Sequence, residues 1–258
     1  KMRAFLTTLG IIIGVASVVT MVSLGNSATA SVQEQVSSLG ANMLTLRPGQ
    51  GFGSGGGKSP QPFDIDDIEA IRSQIAGLRT VAPQTSTQAT AIFEAQNWST
   101  SVTGTTNEYF WASTMEMAAG RQFSDAELSA GKSVCVIGDT VRSKLFHNTD
   151  AIGRNLRLRD ISCEIVGVLE KRGQGGFGQD ADDQVILPIK TAMRRLNGNQ
   201  NIQSIQVAVD ERFDSSAISN AITALLRERR HLLPGMEDDF IIFDSKQLSD
   251  TLAGTTET

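Results

Sequence analysis

Ile205-Gln206-Val207-Ala208-Val209, a helical run from Asp214 to Arg230, and then Phe240-Ile241-Ile242-Phe243 form the stretch that decides the fold. The first and last pieces read as strands, the first by strict alternation. Asp214 or Ser215 is placed to cap a helix. Ile218, Ala221, Ile222, Leu225 and Leu226 then recur at helical spacing. Arg227, Arg229 and Arg230 fall in its last turn, where the helix dipole favours cations. Pro234-Gly235 breaks it before the second strand.

The same plan occurs near the other end of the chain. Met43-Leu44-Thr45-Leu46 alternates as a strand and Pro48 ends it. Asp64 caps a helix with Ile65, Ile68, Ile71 and Ile75 as its apolar stripe, and Asp66 and Asp67 suit its N-terminal end. Leu78–Thr106, rich in Thr, Val and Ala, reads as two or more strands with turns at Pro83 and Asn97. Strand–helix–strand units at both ends of a folded region predict an α+β fold, one sheet layered with helices.

Between them, residues 107–200 read as an inserted α/β subdomain. Strands are expected at Ser133–Ile137, Asn155–Arg159, Cys163–Leu169 and Gln184–Leu187, with a helix near Thr140–Phe146. The interrupted domain is then 41–106 plus 201–244. Residues 49–62 are Gly-rich and read as a linker.

Upstream, Phe5–Leu24 carries no charge. About 20 apolar residues suffice to cross a hydrocarbon core as a helix, so 1–24 is expected to span a membrane. Gly10 and Gly14 are spaced for close helix packing. Lys1 and Arg3 precede the span and the next basic residue is Arg47, which places the remainder outside the cytoplasm. The rival reading is a cleaved leader, with Ala28-Thr29-Ala30 as the cleavage site; its apolar core is longer than such leaders carry. Residues 25–40 read as a polar stalk helix ending at Gly40. Ser245–Thr258 reads as the start of a second stalk helix.

The formal charge of −5 and the scarcity of aromatics, 5%, argue against a nucleic-acid surface. Two cysteines and two histidines are too few for a structural zinc site. Gly57-Lys58-Ser59 invites a phosphate-loop reading, but Phe52 stands where the motif needs glycine, and Pro60 and Pro62 follow where a helix should open. No catalytic, cofactor or metal motif is therefore assigned. His231, just past an Arg-rich helix end, reads as a capping residue.

Gln174-Gly175-Gly176-Phe177-Gly178-Gln179-Asp180 sets an aromatic tip among glycines and reads as a partner-contacting loop or a plain surface loop. The nearby Asp180, Asp182 and Asp183 miss the calcium-loop spacing. Cys135 and Cys163 fall on predicted strands. Outside the cytoplasm they are either a disulfide or two buried small hydrophobes.

Arg3–Ala16 resembles the first membrane helix of MacB-type ABC transporters. Gly104-Thr105-Thr106-Asn107-Glu108-Tyr109-Phe110 and Ala119-Gly120-Arg121-Gln122-Phe123 resemble the start of their periplasmic core. Val134–Gly138, Leu145-Phe146, Ile152-Gly153, Val166–Leu169 and the Gly-Phe-Gly-Gln-Asp loop recur there in the same order. The two cysteines depart from the pattern, which expects ordinary apolar residues. The resemblance implies an inner-membrane protein with a cytoplasmic ATP- and Mg-dependent nucleotide-binding domain, four membrane helices and a periplasmic domain. That domain has a porter-like part and an inserted sabre-like part. The partners it implies are a second copy of the chain, membrane lipid, a periplasmic adaptor and a TolC-like outer-membrane channel. The function it implies is ATP-driven tripartite efflux, in which cytoplasmic ATPase motion is transmitted to expel periplasmic substrate. Two other readings stand beside it: a relative that transmits force or extracts lipoproteins, and a secreted binding module with a cleaved leader.

Overall fold

The computed structural model describes residues 14–15, 17, 42–49, 60–147, 149–173 and 180–247. The chain forms two units, Lys1–Ser38 and Leu39–Thr258. In the first, Gly14, Val15 and Ser17 are helical and exposed. The rest of the expected span 1–24, including Gly10, and the stalk helix 25–40 lie outside the described residues, as do 50–59 of the linker with Gly57-Lys58-Ser59. Among the described residues no helix is long and apolar enough to cross a membrane.

The elements of the second unit begin β1 (Met43–Pro48), α1 (Ile65–Gln74), β2 (Leu78–Phe93), β3 (Gln96–Thr105), α2 (Glu108–Ala112) and β4 (Met117–Gly120). There follow α3 (Asp125–Ala130), β5 (Val134–Ile137), α4 (Asp139–Leu145), β6 (Asn155–Leu158) and β7 (Ile161–Leu169). β8 (Gln184–Pro188) leads into the single turn α5 (Ile189–Thr191), which widens into a π-helix at Ala192–Asn197. The chain closes with β9 (Ser204–Val209), α6 (Ser215–Arg229) and β10 (Phe240–Asp244).

The outer elements form a split β-α-β layer. The sheet order is β10-β1-β9-β2, and every neighbouring pair is antiparallel. This is the ferredoxin-like order, interrupted between its second and third strands. α1 and α6 cover one face. Ile68, Ile71, Ile218, Ile222 and Leu226 of the helices pack on Leu44, Leu46, Val81, Ile205 and Val207 of the strands. Ile71 and Leu226 are fully buried, and each such side chain contributes roughly 1.5–3 kcal/mol by leaving water. The helices start where the sequence signals: Asp64 accepts from the Asp67 N–H at 2.7 Å while Asp67 accepts from the Asp64 N–H at 3.3 Å. Asp214 caps α6 through the Ala217 N–H at 3.0 Å.

The second core sits in a small barrel. β2 is 16 residues long. Its first half completes the split layer and its second half pairs with β3. From there the pairs run β3–β8, β8–β5, β5–β7 and β7–β6, and Ala91↔Leu158 and Ile92↔Arg157 return β6 to β2. The ladder thus closes on itself with two parallel pairs, β3/β8 and β5/β7. Ala91, Val102, Leu156, Leu158, Ile165, Val185 and Leu187 belong to its core. Such closure removes exposed strand edges.

Several expectations change. Pro83 does not turn the chain: it lies within β2 opposite Ile205, and its carbonyl accepts from Thr105 Oγ1 at 2.8 Å. The turn falls at Glu94-Ala95, with Glu94 at a left-handed φ of 51°, and Asn97 is the second residue of β3. Ile65 and Ala221 leave their stripes and are exposed. β6 ends at Leu158, because Arg159 turns at φ 51°. The short elements α2, β4 and α3 carry too few periodic residues to be seen in the sequence.

Candidate functional site

The Gly-Phe-Gly loop is reached through a pinned neck. Gln174–Gln179 lie outside the described residues; Asp180 and both flanks are described. The Ala181 N–H donates to the Gly173 carbonyl at 3.2 Å, which closes the neck. Asp182, only 3% exposed, accepts from the Arg172 N–H at 2.9 Å and the Gly173 N–H at 2.8 Å. Asp180 accepts from the Asp182 N–H at 2.9 Å and from Thr140 Oγ1 at 2.7 Å. The indole of Trp98, on β3, donates to Asp183 at 2.9 Å, and the Lys144 ammonium lies 4.9 Å from the centre of that ring.

Each partner has a structural reason to be there. Trp98 projects from the barrel's long hairpin. Thr140 and Lys144 stand on α4, whose first turn packs against the neck. A Cβ at Gly138 would collide with the Asp182 carbonyl, so glycine lets the two segments meet. The carboxylates that suggested a cation in the sequence are instead held by N–H, hydroxyl and indole donors. Hydrogen bonds to a charged acceptor run roughly 1.5–3 kcal/mol each, so the neck is firm while the loop it presents is Gly-rich. Sequence reasoning missed Trp98 and Thr140, and saw Asp182 only as a member of an acidic trio. The acidic triplet was the visible signal, but nothing local in the sequence brings β3 and α4 to it.

The other expected site residues are placed as follows. Cys135 on β5 and Cys163 on β7 are bonded to each other, with Cα atoms 5.7 Å apart and both side chains fully buried in the barrel core. Gly14 is exposed, and among the described residues a Cβ there would meet nothing within 4 Å. His231 takes a left-handed φ of 53° just beyond α6, and its N–H donates to the Glu228 carbonyl at 3.1 Å. It ends the helix. The arginines before it are held by side chains as well as the dipole: Arg229 pairs with Asp67 at 2.8 Å, Arg230 with Asp239 at 2.7 Å, and Arg227 with Asp238.

The two ends of the split layer meet. β1 and β10 are neighbours, paired from Leu44↔Asp244 to Pro48↔Phe240. One residue further, the Ser245 hydroxyl accepts from the Met43 N–H at 3.2 Å and donates to the Met43 carbonyl at 3.0 Å. Ser245–Gln247 is helical, and the remainder of the expected second stalk, 248–258, lies outside the described residues. The chain thus joins and leaves this layer side by side, through the same hydroxyl.

Comparison with known proteins fits this architecture. A family model described as the MacB-like periplasmic core domain matches residues 4–225. The macrolide export ATP-binding/permease protein MacB of Bdellovibrio bacteriovorus is 33% identical over 264 residues, covering 100% of this chain and 40% of that protein. The protein of the same description from Chlorobium phaeobacteroides is 34% identical over 262 residues, covering 100% of this chain and 39% of its own length. The chain therefore spans about 40% of the length of the curated relatives it matches. Among solved structures, the periplasmic region of MacB from Actinobacillus actinomycetemcomitans superposes with a TM-score of 0.71 at 20% identity, over 84% of this chain and 95% of that one. At that identity the likeness speaks for the fold alone.

Proposed function

The chain belongs to the family of MacB-like periplasmic core domains, and from that premise we propose that it carries motion from a cytoplasmic ATPase to the periplasmic side of an export assembly. In this reading the parent protein is an inner-membrane ABC transporter permease working as a homodimer. ATP and Mg belong to its nucleotide-binding part, and this chain performs no chemistry of its own. The porter-like layer and the sabre-like barrel stand in the periplasm, facing an adaptor and a TolC-like outer-membrane channel.

The observation that carries the proposal is the Ser245–Met43 clasp. It sets Met43 and Ser245 side by side at one end of one sheet, so relative movement delivered to these two points would strain β1 against β10 directly. Because β1 is hydrogen-bonded on both sides and β2 runs on into the barrel, the layer passes strain on as a body. Backbone-satisfied helices and paired strands are the stiff elements such a path needs.

The test is a flexible Gly-Ser-Gly insertion before Asn42 in the intact transporter. Export is expected to fall at least about tenfold while ATP hydrolysis continues; unchanged export would overturn the lever reading. The pinned loop is the proposed adaptor contact, and the same assay tests it with Phe177→Ala. Intact adaptor binding together with intact export would remove it from the contact.

A further inference from the structure

The face of the split layer that α1 and α6 leave uncovered holds a cleft of about 470 Å³. Its floor is apolar: Met43 and Ala208 from the sheet, Phe110 from α2 and Met115 just beyond it. The volume lies within the range of about 300–1,000 Å³ occupied by small-molecule sites. Trp111 forms one wall. Its neighbours Phe110 and Ala112 are buried, yet Trp111 itself is 58% exposed. A second compartment of about 520 Å³ adjoins it, and Trp111, Arg79 and Gln122 line both.

The charges around this cleft are unbalanced. Glu116 and Glu211 line the first compartment, and Glu108 and Asp125 line the second. Two guanidinium groups face these four carboxylates. Arg72 is engaged by Glu108 at 3.0 Å, and Arg79 lies 3.8 Å from Glu211 and 5.4 Å from the Trp111 ring centre. Glu116 and Asp125 make no ion pair among the described residues. In the second compartment, Asn107 spends its Nδ2 on the Phe123 carbonyl at 2.7 Å, and its buried Oδ1 has no hydrogen-bond partner among the described residues. The buried Thr80 hydroxyl beside it also lacks one. An apolar floor, an aromatic wall, surplus carboxylates and a spare carbonyl acceptor share one complement.

We propose that this cleft binds a bulky organic cation, its apolar body on Met43, Ala208 and Met115 and its positive charge between Trp111 and Glu116. The aromatic face and the carboxylates both attract the cation, and the floor accepts the body. This goes beyond force transmission, which needs no ligand on this chain, and it stands or falls without it.

The experiment uses two ions of one shape and opposite charge, tetraphenylphosphonium and tetraphenylborate. Binding to the full chain in lipid nanodiscs is measured by equilibrium dialysis, with empty discs subtracted. Tetraphenylphosphonium is expected to bind, more weakly as salt rises, and tetraphenylborate not to compete. Trp111→Ala, at an exposed position, should weaken the cation about tenfold and Trp111→Phe by less. Glu116→Gln combined with Glu211→Gln should weaken it about fivefold. The proposal is overturned if the two ions bind alike, if Trp111→Ala leaves binding unchanged, or if the cation does not bind above the empty-disc level. Unchanged thermal unfolding of Trp111→Ala ties the loss to the site.

Discussion

β2 builds two cores, and they differ in how their edges end. In the split layer the strand is an outer member of an open antiparallel sheet, with the face opposite α1 and α6 covered only in part, by Ala112 on Met43 and Ala208, and β10 left as the far edge. In the barrel the same strand is gripped on both sides, by β3 and by β6, and the ladder returns on itself. The open half has Met43 and Ser245 side by side at one end and relies on side-chain ion pairs at the opposite end of α1 and α6. The closed half carries the disulfide and the pinned neck. An open sheet edge can shift with few paired neighbours to break, whereas a closed ladder holds its strands from both sides. The contrast is what the proposed movement and the proposed contact would each require.

The disulfide offers the largest effect with which to break this contrast. Cys135 and Cys163 are 28 residues apart in sequence. Constraint of a loop of that length in the unfolded chain is worth about 3–4 kcal/mol. Replacing both with Ala should lower stability by about that amount in urea unfolding, and added reductant should do the same to the native chain. Because β2 is shared, the loss should shift one common transition. A split into two transitions, with the open half unmoved, would show that the halves fold separately.

Asp182 tests the platform itself. Asp182→Ala leaves two backbone N–H groups without their charged acceptor, at a cost of about 2–3 kcal/mol. Exchange of the Arg172 and Gly173 amides should rise sharply in the variant while those of β9 keep their protection. If the neck amides stay protected, the loop is held by something other than this carboxylate.

On the open side, Asp67 takes the corresponding part. It accepts from Arg229 and from the Asp64 N–H, and lies 3.8 Å from Arg230, whose guanidinium sits over Phe63 and Phe240. Asp67→Ala removes one arm of a capping box and leaves a largely buried cation short of a partner, costing about 2 kcal/mol. The defect should appear first in the exchange of the initial turn of α1. Equal loosening of the barrel would mean that the two halves are less distinct than their edges suggest.

How much of this was legible in the sequence depended on range. The split layer was readable because each of its helices carries a local signal: Asp64 with Asp67, Asp214, and isoleucines at three- and four-residue spacing. The α+β class followed from two such units. The barrel was half readable. Its strands are short apolar runs that appear in the sequence, but closure through Ala91↔Leu158 is a long-range event with no local mark. Pro83 misled because a proline in a strand is tolerated where its missing N–H is not needed by the ladder. The neck residues Trp98, Thr140 and Asp182 come from three separated elements, and only the fold assembles them. The cleft was invisible for the same reason: Met43 and Ala208 become its floor only when β1 pairs with β9.

The smallest effect concerns α3, the corner that ties β4 to the barrel's flank. Arg121 donates hydrogen bonds of 2.8 Å to both carboxylate oxygens of Glu127, and the Ser124 N–H adds a third at 2.7 Å. Chiefly through Arg121, the Glu127 carboxyl is held down from its ordinary 4.5 to about 2. The unfolded chain therefore takes up this proton at a higher pH than the folded one. The stabilisation it supplies is complete above the unfolded value of 4.5 and is lost as pH falls toward about 2. Glu127→Gln should cost about 1 kcal/mol at neutral pH, the usual worth of a cap. The gap between native chain and variant should stay constant from pH 7 to about 5 and close progressively in more acidic solution. Arg121 remains charged throughout, so the slope belongs to the carboxylate. A gap that persists unchanged into strong acid would mean that Glu127 acts through packing, and that this corner is held by Phe123 and Leu128 against the barrel instead of by charge.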